Sequence, residues 1–155
     1  MNTSNFQNEC LEQHNEYREM HGCKPLKLSS KLNATAQKWA DDLVRRNVFE
    51  HSHDRNGNGE NLYYSWSSAK KIPKGDAAAD AWYSEIKDYD WNDSEEQIMK
   101  KFGKIGHFTQ LVWDQTEQLG VGVATDGKGK WIVVAHYSPG GNMYGSFKKH
   151  VPAKK

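Results

Sequence analysis

The sequence predicts an α+β fold in which a mainly antiparallel sheet lies between helical layers. Three observations carry this. Helical periodicity fills the first part of the chain, most clearly in the stripe Leu32, Ala36, Trp39, Ala40, Leu43 and Val44. Later, Leu119, Val121 and Val123 alternate with Gly120 and Gly122, the period of a strand. Residues 131–137 then form a nearly unbroken apolar run, as expected of a strand covered on both faces. Helices early and strands late favour segregated layers over alternating βα units. The length, 155 residues, is that of one ordinary domain, which we expect to span residues 1–155 and to bury a core without disulfides or metals.

The elements follow in order. Ser4 and Gln7 have capping-box spacing, and Phe6, Cys10, Leu11, His14, Tyr17 and Arg18 recur at helical intervals up to about Met20. Gly22 is a stop signal, and residues 23–28, with Pro25 inside, read as an extended connector. Ser29 or Ser30 caps the second helix. Residues 51–62 are dense in Gly, Asn and Asp and read as a loop. The aromatics that follow it, Tyr63, Tyr64 and Trp66, also read as a loop region and are either core or a binding wall. Asp76 opens a third helix with Ala78, Ala81, Trp82, Ile86 and Tyr89 inward, and Ser94 with Gln97 caps a short helix toward Phe102. Residues 107–113 fit one helical turn or a strand equally well. Gly120 and Gly122 mark a strand that another element approaches closely, and residues 125–129 form a hairpin turn.

Charge and targeting signals narrow the function classes. The chain has 21 basic and 20 acidic residues, so no global field points to nucleic acid. Lysine clusters at Lys70, Lys71 and Lys74, at Lys100, Lys101 and Lys104, and at Lys148, Lys149, Lys154 and Lys155 are solvated faces or weak attractors of an acidic membrane. Two cysteines, Cys10 and Cys23, are too few for a disulfide framework and favour a reducing compartment. Residues 1–6 show no secretory leader, and no apolar run spans a bilayer. An intracellular, cytoplasmic location is therefore expected; a secreted one would require a leader removed ahead of Met1. Asn2 departs from the N-myristoylation pattern. The triplets at Asn2, Asn33 and Asn92 are glycosylation acceptors only in the secretory pathway.

Among chemistry-bearing residues, Glu85 stands out. It falls on or beside the inward stripe of the third helix, where a carboxylate is costly unless hydrogen-bonded, paired or metal-bound. His51, His53, Glu60, His107 and His136 are the other candidates. No HExxH, CxxC, Gly-x-Ser-x-Gly, P-loop or dinucleotide motif is present, and spacing alone does not say whether these groups converge.

Four stretches share one resemblance: His14-Asn15-Glu16-Tyr17-Arg18, Gly59-Glu60-Asn61-Leu62, Gly106-His107-Phe108-Thr109-Gln110-Leu111-Val112-Trp113 and His136-Tyr137-Ser138-Pro139-Gly140-Gly141-Asn142-Met143. In this order, over roughly residues 6–147, they resemble the signatures of the CAP family: cysteine-rich secretory proteins, antigen 5 and pathogenesis-related 1 proteins. Together with residues 82–87 they are most similar to its small intracellular, Golgi-associated branch. The resemblance implies a three-layer α-β-α sandwich and favours a helical turn at 107–113. It implies a central cavity holding His51, Glu60, Glu85 and His107, with His53 competing for the first position. Two imidazoles with flanking carboxylates suit a divalent metal, and Zn²⁺ is the implied ion. Ile105 and Ala135 stand where many secreted members carry cysteines, in keeping with the intracellular branch.

Family precedent implies a binding protein rather than an enzyme. The implied partners are sterols, fatty acids or an anionic lipid surface, a second copy of the chain in a homodimer, and regulatory proteins. Tyr63, Tyr64 and Trp66, beside Lys70 and Lys71, are the candidate lipid-facing residues. The alternatives are a Zn-dependent or Ser/His/Glu hydrolase, with Ser65 or Ser67 as nucleophile, and a dimeric scaffold.

Overall fold

A computed structural model describes residues 3–155. The Asn2 readings lie outside these residues. Helix α1 (Ser4–Met20) is followed by strand β1 (Lys27–Leu28) and helix α2 (Ser30–Arg46). Strand β2 (Gly59–Trp66) leads to helix α3 (Ala77–Tyr83), which tightens into a 3-10 turn at Ser84–Asp88. Helices α4 (Glu95–Lys100) and α5 (Phe102–Leu111) precede the hairpin of β3 (Gln118–Thr125) and β4 (Lys130–Ser138), and α6 (Phe147–His150) ends the series. The sheet order is β1-β3-β4-β2, antiparallel except for the two-residue β1–β3 pairing.

Side-chain alternation along β4 builds the two cores. Trp131, Val133, Ala135 and Tyr137 face the layer of α1, α3 and α5, where they meet Cys10, Trp82, Phe108 and Leu111. Ile132 and Val134 face α2 and pack on Ala36, Ala40 and Leu43. The expected α-β-α sandwich is therefore present, and the run at 131–137 is buried throughout, as its composition requires.

Three amides replace a missing strand along β3. β1 covers only Gln118 and Leu119. Beyond it, Asn33 accepts from Val121 N (2.8 Å), Gln37 brackets Val123 (N 3.0 Å, O 2.9 Å) and Gln7 donates to Val121 O (3.0 Å). This satisfies an otherwise open edge. Asn33, inside one glycosylation triplet, is thereby committed to the sheet.

Several local expectations are corrected. Ser4 lies inside α1, and Thr3 is the N-cap without a side-chain bond. Ser29, not Ser30, caps α2, accepting from Leu32 N at 3.2 Å. Residues 59–66 belong to β2 rather than a loop region, because pairing with β4 along the whole segment outweighs the turn-forming Gly59 and Asn61. The third helix does not run as α-helix to Tyr89: it tightens at Ser84, leaving Ala81 exposed and turning Tyr83 inward. The Ser94–Gln97 capping box is present.

The HNxxR residues are structural. His14 Nδ1 meets the Cys10 carbonyl at 2.8 Å, so that nitrogen carries the proton, and Nε2 accepts from Tyr137 OH at 2.7 Å. Burial, aided by the Arg18 charge and opposed by the Cys10 bond, pushes the His14 pKa down to about 4 from 6.5. Between those values the unfolded chain binds a proton that the folded chain refuses, so stability falls as pH drops through this window. It is fully present above 6.5, and the loss by pH 4 amounts to about 3 kcal/mol at about 1.4 kcal/mol per unit. His21, shifted in the same direction by burial, adds to it. Urea titrations between pH 7.5 and 4 are expected to show this slope, reduced by about one proton in His14→Gln. An unchanged slope in the variant would rule out His14 as its source.

Candidate functional site

The site is assembled where β2 enters the sheet. The β2–β4 register sets Glu60 opposite His136, on the α2 face. Its buried carboxylate is a hub. Oε1 accepts from His51 Nδ1 (2.8 Å) and Ser52 N (2.9 Å); Oε2 accepts from Ser52 Oγ (2.7 Å) and His136 Nε2 (2.8 Å). His136 Nδ1 continues to the Thr35 hydroxyl on α2 at 2.8 Å. Burial raises the Glu60 pKa, but the bonds from His136, His51 and Ser52 outweigh it and hold the carboxyl well below the usual carboxylate range.

A second carboxylate–histidine pair comes from the other layer. The tightened turn after α3 brings Glu85 against α5, where Oε2 accepts from His107 Nδ1 (2.8 Å). Oε1 accepts from His107 N (2.9 Å) and Phe108 N (3.0 Å). The imidazole lies parallel to Trp82, 9° between planes and 6.2 Å between centroids. Behind it, Asn61 donates to both His107 O and Tyr137 OH at 3.1 Å, which ties the site to the His14 relay.

The two histidines share a cleft of about 400 Å³, whose walls include Arg55, Asn58, Glu60 and Asn142. Glu85 stays behind His107 and does not line it. His53 is absent from the walls too; its mostly exposed ring stands 3.8 Å from Glu50. His51 is thus the histidine at the cleft. Ser65 and Ser67 are not brought there either. Reading the sequence did not single out Arg55, Asn58, Gln110 or Asn142 as cleft residues, or His136 as Glu60's partner. The last two of those four lie inside the longer motifs. His136 becomes visible only with the strand register.

Carboxylates only accept, so each Nδ1 bears the proton and each neutral ring offers Nε2 as a lone pair. That is the arrangement in which a carboxylate orients a metal-binding imidazole. Both oxygens of Glu60 and of Glu85 accept hydrogen bonds from the rings and from neighbouring donors. Among the described residues no group of three or more His, Cys, Asp or Glu forms a ready cage. The donor chemistry suits a divalent ion, and His51 and His107, which both line the cleft, are the residues that would hold it.

A three-layer sandwich with carboxylate-held histidines at one end of its sheet defines a known class. Residues 11–137 match the family model "CAP: Cysteine-rich secretory protein family", and the chain belongs to that family. It is 42% identical to human Golgi-associated plant pathogenesis-related protein 1 over 155 aligned residues, covering 97% of this chain and 95% of the relative. Among solved structures, BmVAL-1 matches with a TM-score of 0.82 at 30% identity, covering 99% of this chain and 85% of that one. NaASP2, solved with Zn²⁺, matches with a TM-score of 0.74 at 27% identity, covering 98% and 87%.

Proposed function

We propose that this CAP protein is a non-catalytic binding protein that docks on anionic lipid surfaces through one edge of its sheet and holds Zn²⁺ in the cleft. The aromatic edge carries the reading. Tyr64 and Trp66 continue the α2-side face of β2 beyond the helix, 48% and 60% exposed. Phe49, 50% exposed, stands edge-on to Tyr64 at 6.1 Å. The Trp39 indole fixes the neighbouring loop by donating to Glu50 O at 3.0 Å. Tyr63 points the other way and packs on the core, so the lipid-facing set is Phe49, Tyr64 and Trp66 instead.

Such rings suit a water–lipid boundary, and exposed Lys70 and Lys71, just past the strand, each add about 1 kcal/mol near an anionic membrane. No helix among the described residues is long and apolar enough to cross a membrane. Attachment on this reading is peripheral, and the human relative's name makes a Golgi membrane the first surface to try. Zinc is supported by two cleft-lining imidazoles, each held through Nδ1 by a carboxylate, and by the Zn²⁺ of NaASP2. Among the described residues no serine, threonine or cysteine lines the cleft, which disfavours a hydrolase with a side-chain nucleophile.

One experiment tests both halves: pelleting with neutral and phosphatidylserine-containing vesicles, alongside Zn²⁺ calorimetry. Wild type is expected to pellet with anionic vesicles and to release at high salt. Tyr64→Ser/Trp66→Ser should lose at least about fivefold in vesicle affinity, and His51→Ala/His107→Ala should pellet normally but take up no Zn²⁺. Absence of pelleting sinks the membrane half and turns attention to a homodimer, a protein partner or a sterol on the same patch. Equal Zn²⁺ uptake by the histidine variant sinks the metal half.

A further inference from the structure

The cleft has a feature that neither a metal nor a membrane surface uses. Arg55 forms part of its wall, and its guanidinium makes no hydrogen bond or ion pair to any described residue, not even to neighbouring Asp54. A half-buried, unpaired arginine on a cleft wall is a donor fork awaiting an acceptor. The other charged wall residue, Glu60, is already spent on His51, Ser52 and His136. The Asn58 side-chain amide beside Arg55 is likewise unpartnered among the described residues.

The backbone holds Arg55 in place. Asn56 and Gly57 take left-handed φ values of 52° and 80°, and Asn58 N donates to Arg55 O at 2.9 Å. This is the tight turn that an Asn-Gly pair favours. Gly140 N pins the turn to the opposite loop by donating to Gly57 O at 3.1 Å. The side chain therefore projects from a fixed corner.

We propose that Arg55 is an oxyanion subsite: it takes the phosphate or carboxylate head of a small amphiphile whose apolar body lies along Phe102. At about 400 Å³ the cleft is the size of a small-molecule site rather than of an inorganic ion. Phe102 lines it while remaining 37% exposed. Asn142, on the same wall, is anchored to α5 by Thr109 Oγ1 (2.6 Å) and Gly106 O (2.9 Å). A planar guanidinium matches phosphate and carboxylate bidentately, so Lys is a poor substitute.

The test is calorimetry in EDTA with octyl phosphate, octanoate, inorganic phosphate and octanol, on wild type, Arg55→Gln, Arg55→Lys and Phe102→Ala. At least one anionic octyl probe is expected to bind wild type, and whichever binds more tightly names the head group. Arg55→Gln should weaken it at least about tenfold and Arg55→Lys by less. Phe102→Ala should weaken the octyl probes but leave inorganic phosphate unchanged. Arg55→Gln removes no contact in the fold and should take up Zn²⁺ as wild type does, which separates this result from the metal reading. Failure of both anionic octyl probes to bind wild type, equal binding by Arg55→Gln, or octanol binding as well as octyl phosphate would each overturn the proposal.

Discussion

Replacing Arg18 with methionine is expected to cost about 4 kcal/mol of stability or more. The guanidinium is fully buried and donates to four carbonyls: Lys24 O from Nε (2.9 Å), Leu111 O (3.0 Å) and Trp113 O (2.9 Å) from one terminal nitrogen, and Thr116 O (3.0 Å) from the other. Two of these acceptors close the C-terminal end of α5, and no carboxylate pairs with Arg18 among the described residues. Methionine keeps the volume and abandons all four acceptors inside the protein. Each abandoned buried group costs about 1–3 kcal/mol, and the low end already sums to the value given. For a chain of this size the melting temperature should fall by about 10 °C. Arg18→Lys should recover little, since one ammonium cannot span four acceptors arrayed around a planar fork. A loss below about 1 kcal/mol in denaturant titrations would show that the carbonyls find water instead.

Gly120→Ala is the second large effect, expected at about 3 kcal/mol. A β-carbon on Gly120 would fall on the backbone of Leu32 and Asn33, in the first turn of α2. The neighbouring Gly122 is similar, with Gln37 Cα 2.5 Å from the added atom. Backbone cannot rotate away as a side chain can, so the helix must lift. Lifting it also strains the Asn33 and Gln37 bonds that close the β3 edge. Gly103→Ala is the control. It lies in α5 with nothing within 4 Å of the added carbon, so it should gain about 0.5–1 kcal/mol. A Gly120→Ala protein as stable as wild type would mean that α2 is not held this close.

What could be read from the chain follows from the range of the interactions. The α2 stripe and the glycine alternation of β3 were legible because each is a local period with one geometric solution. β2 was not, because its first residues include the turn formers Gly59 and Asn61, and only partnership with β4 makes them strand. The tightening at Ser84 was equally hidden: spacings of three and four residues both suit an inward Glu85. The site was legible as a list, through resemblance to the family, but not as an arrangement. That Glu60 divides between His51 and His136, while Glu85 serves His107 alone, depends on a register and a turn geometry that no short motif encodes.

The Glu60 hub gives the cleft two mechanically different sides. On one side the His51 and His107 imidazoles are each held by a carboxylate, Glu60 from β2 and Glu85 from the 3-10 turn, so a ligand meeting that wall pays little entropy to arrange it. On the other, Arg55 has a fixed root and a free tip, and it settles only when something is there to hold. Selection by shape should therefore arise at the histidine wall, and tolerance toward different head groups at the arginine wall. Relatives that keep the first and vary the second could change ligand without rebuilding the fold.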